Sequence, residues 1–129
     1  MKPLLPLFLG LLLAGCATVP ATKVLTRQDN GHAVTVPVGT TLVVQLPSNP
    51  TTGYAWTPVN VPAPVLKLIR SSYAQTPAPP AFAGVGGMDT FRFDALKAGS
   101  QILQLNYARV WEKGIPPVET VSFPVTVEP

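Results

Sequence analysis

The sequence predicts an all-β sandwich of about eight antiparallel strands, and three observations support this fold class. Apolar residues alternate with polar ones at period two through most of the chain, and Val, Thr, Phe and Tyr are frequent among them. Sixteen prolines and ten glycines interrupt the alternation at short intervals. No helical period is sustained. Such a chain buries its apolar faces by packing one sheet against another.

Each predicted strand carries an alternating apolar set or lies between turn signals. The clearest sets are Leu42, Val44 and Leu46; Phe91 and Phe93; Leu103, Leu105 and Tyr107; and Val121, Phe123, Val125 and Val127. We place the strands at residues 23–27, 32–36, 41–46, 54–59, 65–73, 88–95, 101–110 and 118–127. The dipeptide Asn30-Gly31 predicts a hairpin between the first two strands. Pro124 cannot donate to a ladder, so it predicts an edge or a bulge in the last strand.

The first sixteen residues indicate export. Lys2 precedes an apolar run at 4–13, which is too short for a membrane-spanning helix of about 20 residues. Leu13, Ala14, Gly15 and Cys16 then resemble the lipobox of bacterial lipoproteins. That resemblance implies a signal peptide at 1–15, lipidation of Cys16, a tether at 16–22 and a location on the bacterial cell envelope. An ordinary signal peptide with a chance cysteine is the alternative.

Composition limits what the mature chain can do. Removing residues 1–15 leaves 114 of the 129 residues, enough for one domain at 23–129. Without Lys2 there are eight basic and six acidic side chains and no basic cluster, which argues against nucleic-acid binding. A lipidated Cys16 leaves no cysteine for a disulfide. Residues 17–22 reach only ~20 Å when extended, so the domain should sit close to the membrane.

Three connections stand out, and strand direction predicts that they share one end of the sandwich. Successive antiparallel strands alternate in direction, so every second connection lies at the same end. The connections at 47–53, 74–87 and 111–117 therefore meet, and the tether leaves from the opposite end. One is polar, one is rich in glycine and one opens with Trp111. Loops grouped on a rigid scaffold are typical of a binding surface.

These three loops resemble the motifs of chagasin-like inhibitors of papain-type cysteine proteases. The matching residues are Asn49, Pro50, Thr51, Thr52 and Gly53, followed by Tyr54 and Trp56; then Gly84, Val85, Gly86 and Gly87; then Arg109, Val110 and Trp111. Their order and approximate spacing also agree. The family usually has Pro where this chain has Val110.

The resemblance implies an immunoglobulin-like fold that blocks a protease's active-site cleft reversibly, with no catalysis and no cofactor. The Gly84 to Gly87 stretch would lie over the catalytic cysteine of the protease, and Thr51 and Thr52 would contact the region of its catalytic histidine. Trp111 would pack on the leaving-group side, supported by Arg109. We expect the inhibitor to be a monomer. Exchange of the 74–87 loop between copies is the alternative.

Several residues also have a purely structural interpretation. Trp56 is expected in the core, and Tyr54 with it. Trp111 could instead close the end of the sandwich, and the hydroxyls of Thr51 and Thr52 could cap their own loop. Gly86 and Gly87 could relieve strain where the chain enters its strand.

An enzyme is not expected, because His32 is the single histidine and Cys16 the single cysteine, which leaves no Cys-His pair and too few metal ligands. Asp89 and Asp94 lie at odd spacing on one strand, hence on opposite faces. The remaining alternative to an inhibitor is an envelope lipoprotein whose loops hold another protein as an adaptor.

Overall fold

The computed structural model describes residues 21–60, 63–77 and 86–129, and within them two four-stranded sheets pack face to face. The strands are β1 (Thr22–Thr26), β2 (Val34–Pro37), β3 (Thr41–Ser48), β4 (Ala55–Pro58), β5 (Leu66–Gln75), β6 (Gly87–Ala95), β7 (Gly99–Ala108) and β8 (Glu119–Glu128). Two single-turn 3-10 helices, Arg27–Asp29 and Pro50–Thr52, follow β1 and β3. Each of the eight predicted strands is present.

Both sheets are mixed. Sheet A has the order β1-β3-β6-β5 and sheet B the order β2-β8-β7-β4. The all-β sandwich is confirmed, but the expectation of purely antiparallel pairing is wrong at two edges, where β1 is parallel to β3 and β2 is parallel to β8. A parallel pair needs a crossover connection, and the chain supplies it by passing through the other sheet. Successive strands still alternate in direction, so every second connection lies at the same end.

The Asn30-Gly31 turn is not a hairpin, which corrects the prediction from that dipeptide. The amide of His32 donates to the Asp29 carbonyl at 3.0 Å, and Gly31 has a φ of +80°, as a type II turn requires at its third residue. The Asn30 side chain accepts a hydrogen bond from the Ser122 amide at 2.8 Å, and Gly31 donates to the Ser122 carbonyl at 2.7 Å. These bonds hold the turn against β8. As a result β2 pairs with β8 in sheet B, whereas β1 belongs to sheet A.

The core follows the predicted alternation. All the residues of the four apolar sets are buried except Tyr107, which is half-buried and packs against the others. Trp56 is in the core as expected, with 5% of its surface exposed, and its indole Nε1 donates to the Pro47 carbonyl at 2.9 Å. This bond links β4 of one sheet to β3 of the other.

Pro124 shows how a proline fits inside a sheet. β8 lies between β2 and β7, and its pairing with β7 continues through Pro124 without a register shift, so neither the predicted edge nor the predicted bulge is present. Pairing with β2 begins only at Val125, and the amide of Ser122, two residues earlier and on the same side, bonds to the Asn30 side chain. The missing N–H of Pro124 therefore falls between the turn and the start of β2, where no ladder bond is lost.

The sandwich has two distinct ends. One carries the connections β3–β4, β5–β6 and β7–β8, and we call it the loop end. The other carries the start of β1 and the turns β2–β3 and β6–β7, and we call it the lower end. Among residues 21–60, 63–77 and 86–129 we find no helix with the length and apolar character needed to span a bilayer.

Candidate functional site

The loop end brings together the three connections that the sequence singled out. In sheet A, Ser48, Gly87 and Gln75 lie opposite one another, and in sheet B, Ala55 lies opposite Ala108. Loop 1 is therefore residues 49–54, loop 2 is 76–86 and loop 3 is 109–118. Of loop 2, Gly84 and Val85 lie outside the described residues, and Gly86 is described.

Loop 1 is a single 3-10 turn capped at both ends, which explains its length and composition. The Asn49 side-chain oxygen accepts from the Thr51 amide at 3.2 Å and from the Thr51 hydroxyl at 2.6 Å. Pro50 opens the turn with a preset φ, and Gly53 closes it with a φ of +83°. The Thr52 hydroxyl donates to the Asn49 carbonyl at 2.7 Å. The hydroxyls thus cap their own loop, while Thr51 and Thr52 both remain exposed to solvent.

An aromatic column supports loop 1 from below. Tyr107 stacks on buried Trp56 with ring centroids 4.8 Å apart, and its other neighbour, Tyr54, lies at 5.5 Å. The amide of Asn49 donates to the Tyr107 hydroxyl at 3.1 Å. Tyr54 is half-buried, so the expectation that it shares the core with Trp56 is wrong, because the ring extends the column beyond the sheets. Rigid rings continue from the core to the base of the loop.

Arg109 joins loop 3 to loop 1. Its guanidinium lies 4.4 Å from the centroid of the Tyr54 ring, and its Nε donates to the Thr52 carbonyl at 3.0 Å. An Nη nitrogen forms an ion pair with Glu112 at 3.1 Å. A planar guanidinium can make these three contacts at once, so Arg109 fixes the distance between the two loops.

Loop 3 begins with a tight turn that presents Trp111. The amide of Glu112 donates to the Arg109 carbonyl at 3.1 Å, so Val110 occupies the second position of a β-turn. That position favours proline, which accounts for the proline usual in the resembling family. Trp111 packs on Gly53: a Cβ added at Gly53 would lie 2.3 Å from the indole. The indole nevertheless stays 63% exposed.

The two described glycines of the second motif lie where the backbone is crowded, and Gly87 leaves no room for a Cβ. A Cβ on Gly86 would lie 3.0 Å from the Ser48 carbonyl oxygen, and one on Gly87 would lie 2.2 Å from the Ala74 carbonyl oxygen. Neither has a positive φ. Gly86 lies directly against the start of loop 1, beside Asn49, and Gly87 lies against the end of β5. Relief of crowding at the entry to β6 is therefore part of their role.

A carboxyl group lies beneath loops 1 and 2. Asp89 shares the inward face of β6 with buried Phe91 and Phe93, whereas Asp94 faces outward and accepts a bond from the Thr41 hydroxyl at 3.3 Å. Burial raises the pKa of Asp89 above 3.8, and hydrogen bonds from the Ser48 side chain and the Trp56 backbone oppose that rise. Because Ser48 and Trp56 flank loop 1, Asp89 links both ends of that loop to β6.

Sequence reasoning missed Tyr107, Glu112 and Asp89 as supports of this site. Tyr107 belongs to an alternating core set, so its position gives no sign that its hydroxyl reaches loop 1. Glu112 stands three residues after Arg109, a spacing that could have suggested a turn closed by an ion pair. The odd spacing between Asp89 and Asp94 correctly predicted that they lie on opposite faces of β6. It could not predict which of the two side chains faces inward.

The fold and the loop end define a class of protein: a β-sandwich that presents grouped loops at one end, with loops 1 and 3 held together by Arg109. The chain belongs to the chagasin family of peptidase inhibitors, because residues 35–127 match the family described as Chagasin family peptidase inhibitor I42. Members of this family are inhibitors of proteases and not enzymes.

Individual relatives agree with this assignment. The chain is 27% identical to amoebiasin-2 of Entamoeba histolytica over 120 residues, covering 93% of this chain and 97% of the relative. It is 34% identical to chagasin of Trypanosoma cruzi over 91 residues, covering 67% of this chain and 81% of chagasin. The crystal structure of the cysteine protease inhibitor EhICP2 from Entamoeba histolytica superposes with a TM-score of 0.75 at 27% identity, covering 84% of this chain and 96% of that one. The immunoglobulin-like sandwich is thereby confirmed.

Proposed function

We propose that this protein inhibits papain-type cysteine proteases by inserting its loop end into the active-site cleft. The single observation that carries the mechanism is the bracing of loops 1 and 3 by Arg109 beside an exposed Trp111. Thr51 and Thr52 of loop 1, the Gly84 to Gly87 stretch of loop 2, and Trp111 of loop 3 form the contact surface. The family favours this function over an adaptor role.

The size and chemistry of the loop end suit such an interface. A specific complex buries ~800 Å² on each partner, an area that three adjacent loops can supply. Exposed aromatic residues dominate the energy of such interfaces. Trp111 is the anchor, Val110 beside it is 72% exposed, and both stand on a turn whose geometry is already set. Little conformational freedom remains to be lost on binding.

Rigidity also explains how the inhibitor avoids cleavage. A protease needs its nucleophile and the scissile carbonyl aligned at ~3 to 3.5 Å. The backbone of Gly86, at the end of loop 2, is crowded against Ser48, and loop 1 is capped internally and held by Tyr107. A backbone held in this way can enter the cleft without adopting the geometry that attack requires.

Inhibition of papain tests the proposal. A chain that begins at Ala17 retains every described strand and the whole described core, which lie within residues 22–128. We expect it to inhibit papain reversibly, and Trp111→Ala to weaken inhibition about 30-fold, which is about 2 kcal/mol. Ile102→Ala removes an apolar side chain of similar exposure from β7, away from the loops, and should leave inhibition unchanged. Equal inhibition by the two variants, both with native circular dichroism, would remove Trp111 from the site. A folded chain that fails to inhibit papain at micromolar concentration supports the adaptor instead.

We further propose that the protein is a lipoprotein of the bacterial envelope, with Cys16 as the lipidated residue. The apolar run at 4–13 and the Leu13 to Cys16 motif support this, and both lie outside the described residues. Labelling of cells with a radioactive fatty acid should mark the wild-type protein but not Cys16→Ser. Labelling of both would place the acyl chain elsewhere.

A further inference from the structure

Charge is distributed unevenly between the two ends of the sandwich. The lower half carries five cationic side chains, those of Lys23, Lys67, Arg70, Arg92 and Lys97, against the carboxylates of Asp94 and Glu128. The loop half carries Arg27, Arg109 and Lys113 against Asp29, Asp89, Glu112 and Glu119. The domain is therefore basic at the lower end and slightly acidic at the loop end.

Three of the lower-half cations, Lys67, Arg70 and Arg92, lie on the outer face of sheet A, where the register places Asp94 opposite Lys67. Arg92 points outward, because its neighbours Phe91 and Phe93 are buried, and the register places Arg70 directly opposite it. Like charges directly opposite each other on neighbouring strands destabilise a sheet. Among the described residues the ion pairs involve Arg27 and Arg109, so neither member of this pair has a carboxylate partner. An external anion would relieve the repulsion.

Apolar side chains project beside these cations at the lower end. Val38 in the β2–β3 turn is 43% exposed and Leu96 in the β6–β7 turn is 52% exposed. The two turns adjoin, because the amide of Gly39 donates to the Ala95 carbonyl at 2.9 Å. Lys97 directly follows Leu96. Exposed apolar side chains flanked by lysines are typical of surfaces that bind at the boundary of an anionic bilayer.

Residues 1–20 attach at this same end. β1 begins at Thr22, and the carbonyl of Ala21 accepts a hydrogen bond from the Thr41 amide at 2.9 Å at the start of β3. The amino-terminal segment, which carries the proposed lipidated Cys16, therefore enters the domain beside the basic and apolar surface. Whatever brings that segment to a membrane also brings the lower end to it.

We propose that the lower end docks on a membrane surface of anionic phospholipids. Lys23, Lys67 and Lys97 contact headgroup phosphates, Val38 and Leu96 enter the boundary between headgroups and acyl chains, and the loops project away from the bilayer. The proposal goes beyond protease inhibition and does not depend on acylation of Cys16.

Sedimentation with vesicles tests this docking. The chain that begins at Ala17 is mixed with vesicles of phosphatidylcholine, with or without phosphatidylglycerol, at low and high salt. We expect binding to the anionic vesicles that weakens as salt rises. The double variant Lys67→Gln with Lys97→Gln should bind them about 30-fold more weakly, since each of the two cations near the surface contributes about 1 kcal/mol. The matched pair Arg27→Gln with Lys113→Gln changes net charge equally at the loop end and should bind like the wild type.

Leu96→Ser should weaken binding even at low salt, and vesicle-bound protein should still inhibit papain. The proposal would be overturned if the two double variants lost the same amount of vesicle binding. It would also be overturned if the wild type bound neutral vesicles as well as anionic ones. Inhibition that disappears on vesicles but not in solution would also overturn it, because the loops would then face the lipid. A chain that binds vesicles without ever inhibiting papain keeps the docking surface and refutes the inhibitor function alone.

Discussion

Gly53→Ala tests whether the position of Trp111, and not only its presence, determines inhibition. The added Cβ would lie 2.3 Å from one indole carbon and 2.9 Å from another. Carbon atoms in contact stay about 3.5–4.0 Å apart, so the ring must move by more than 1 Å. Removing the Trp111 side chain would cost about 2 kcal/mol of binding free energy, and displacing it should cost part of that amount. We therefore expect inhibition about tenfold weaker.

The same substitution also strains the backbone, which a matched control separates from the effect on Trp111. Gly53 has a φ of +83°, and an alanine there costs about 1–2 kcal/mol of folding stability. Gly39, in the β2–β3 turn at the lower end, has a φ of +90° with no atom within 4 Å of an added Cβ. Gly39→Ala should lose similar stability in urea unfolding and inhibit papain like the wild type. If both variants inhibit papain equally well, the contact between Gly53 and Trp111 does not determine the position of Trp111 that inhibition requires.

Three further changes probe the supports of the loop end. In Arg109→Lys the single ammonium group cannot contact Thr52 and Glu112 together. Papain inhibition should therefore weaken about fivefold, by about 1 kcal/mol, while the melting temperature stays unchanged. A large loss of stability would contradict this prediction. Val110→Pro presets the φ of the turn and should stabilise the domain by about 0.4–1 kcal/mol in urea unfolding, with inhibition at least as tight. A loss of stability would show that Val110 does not have the φ that proline requires. For Asp89, burial raises the folded-state pKa above 3.8, so the folded state binds the proton more tightly than the unfolded state. Its contribution to stability therefore falls as pH rises from 3.8 through the folded pKa, and Asp89→Asn should remove that slope in denaturation curves measured from acidic to neutral pH; a variant with an unchanged slope would rule out this titration.

Much of the fold could be predicted because one face of almost every strand is buried. The period-two sets at Leu42, Phe91, Leu103 and Val121 specified strand positions and inward residues together. Sheet membership could not be predicted, since alternation says which side chains are buried and not which strand lies alongside. The error at Asn30-Gly31 has this origin: the dipeptide fits a type II turn as well as a hairpin, and bonds to β8 decide between them.

The candidate site was predictable where it depends on local turns and not where it depends on distant contacts. Asn49 to Gly53 could be interpreted locally, because a side-chain cap, a proline and a glycine suffice to close a single 3-10 turn. The contact of Arg109 with Thr52 joins residues 57 positions apart. No local pattern indicates such a bond, and the role of Tyr107 beneath Asn49 was hidden for the same reason.

The parallel pairing of β1 with β3 has a mechanical consequence. A protein held by its amino-terminal segment at Ala21 and gripped through loop 1 experiences tension along the strands, because β1 starts at the lower end and β3 finishes beside the loop. That tension shears the whole β1–β3 ladder at once and does not peel its hydrogen bonds apart one by one. A sandwich held and pulled in this way would resist unfolding, because all the hydrogen bonds of that ladder must break together.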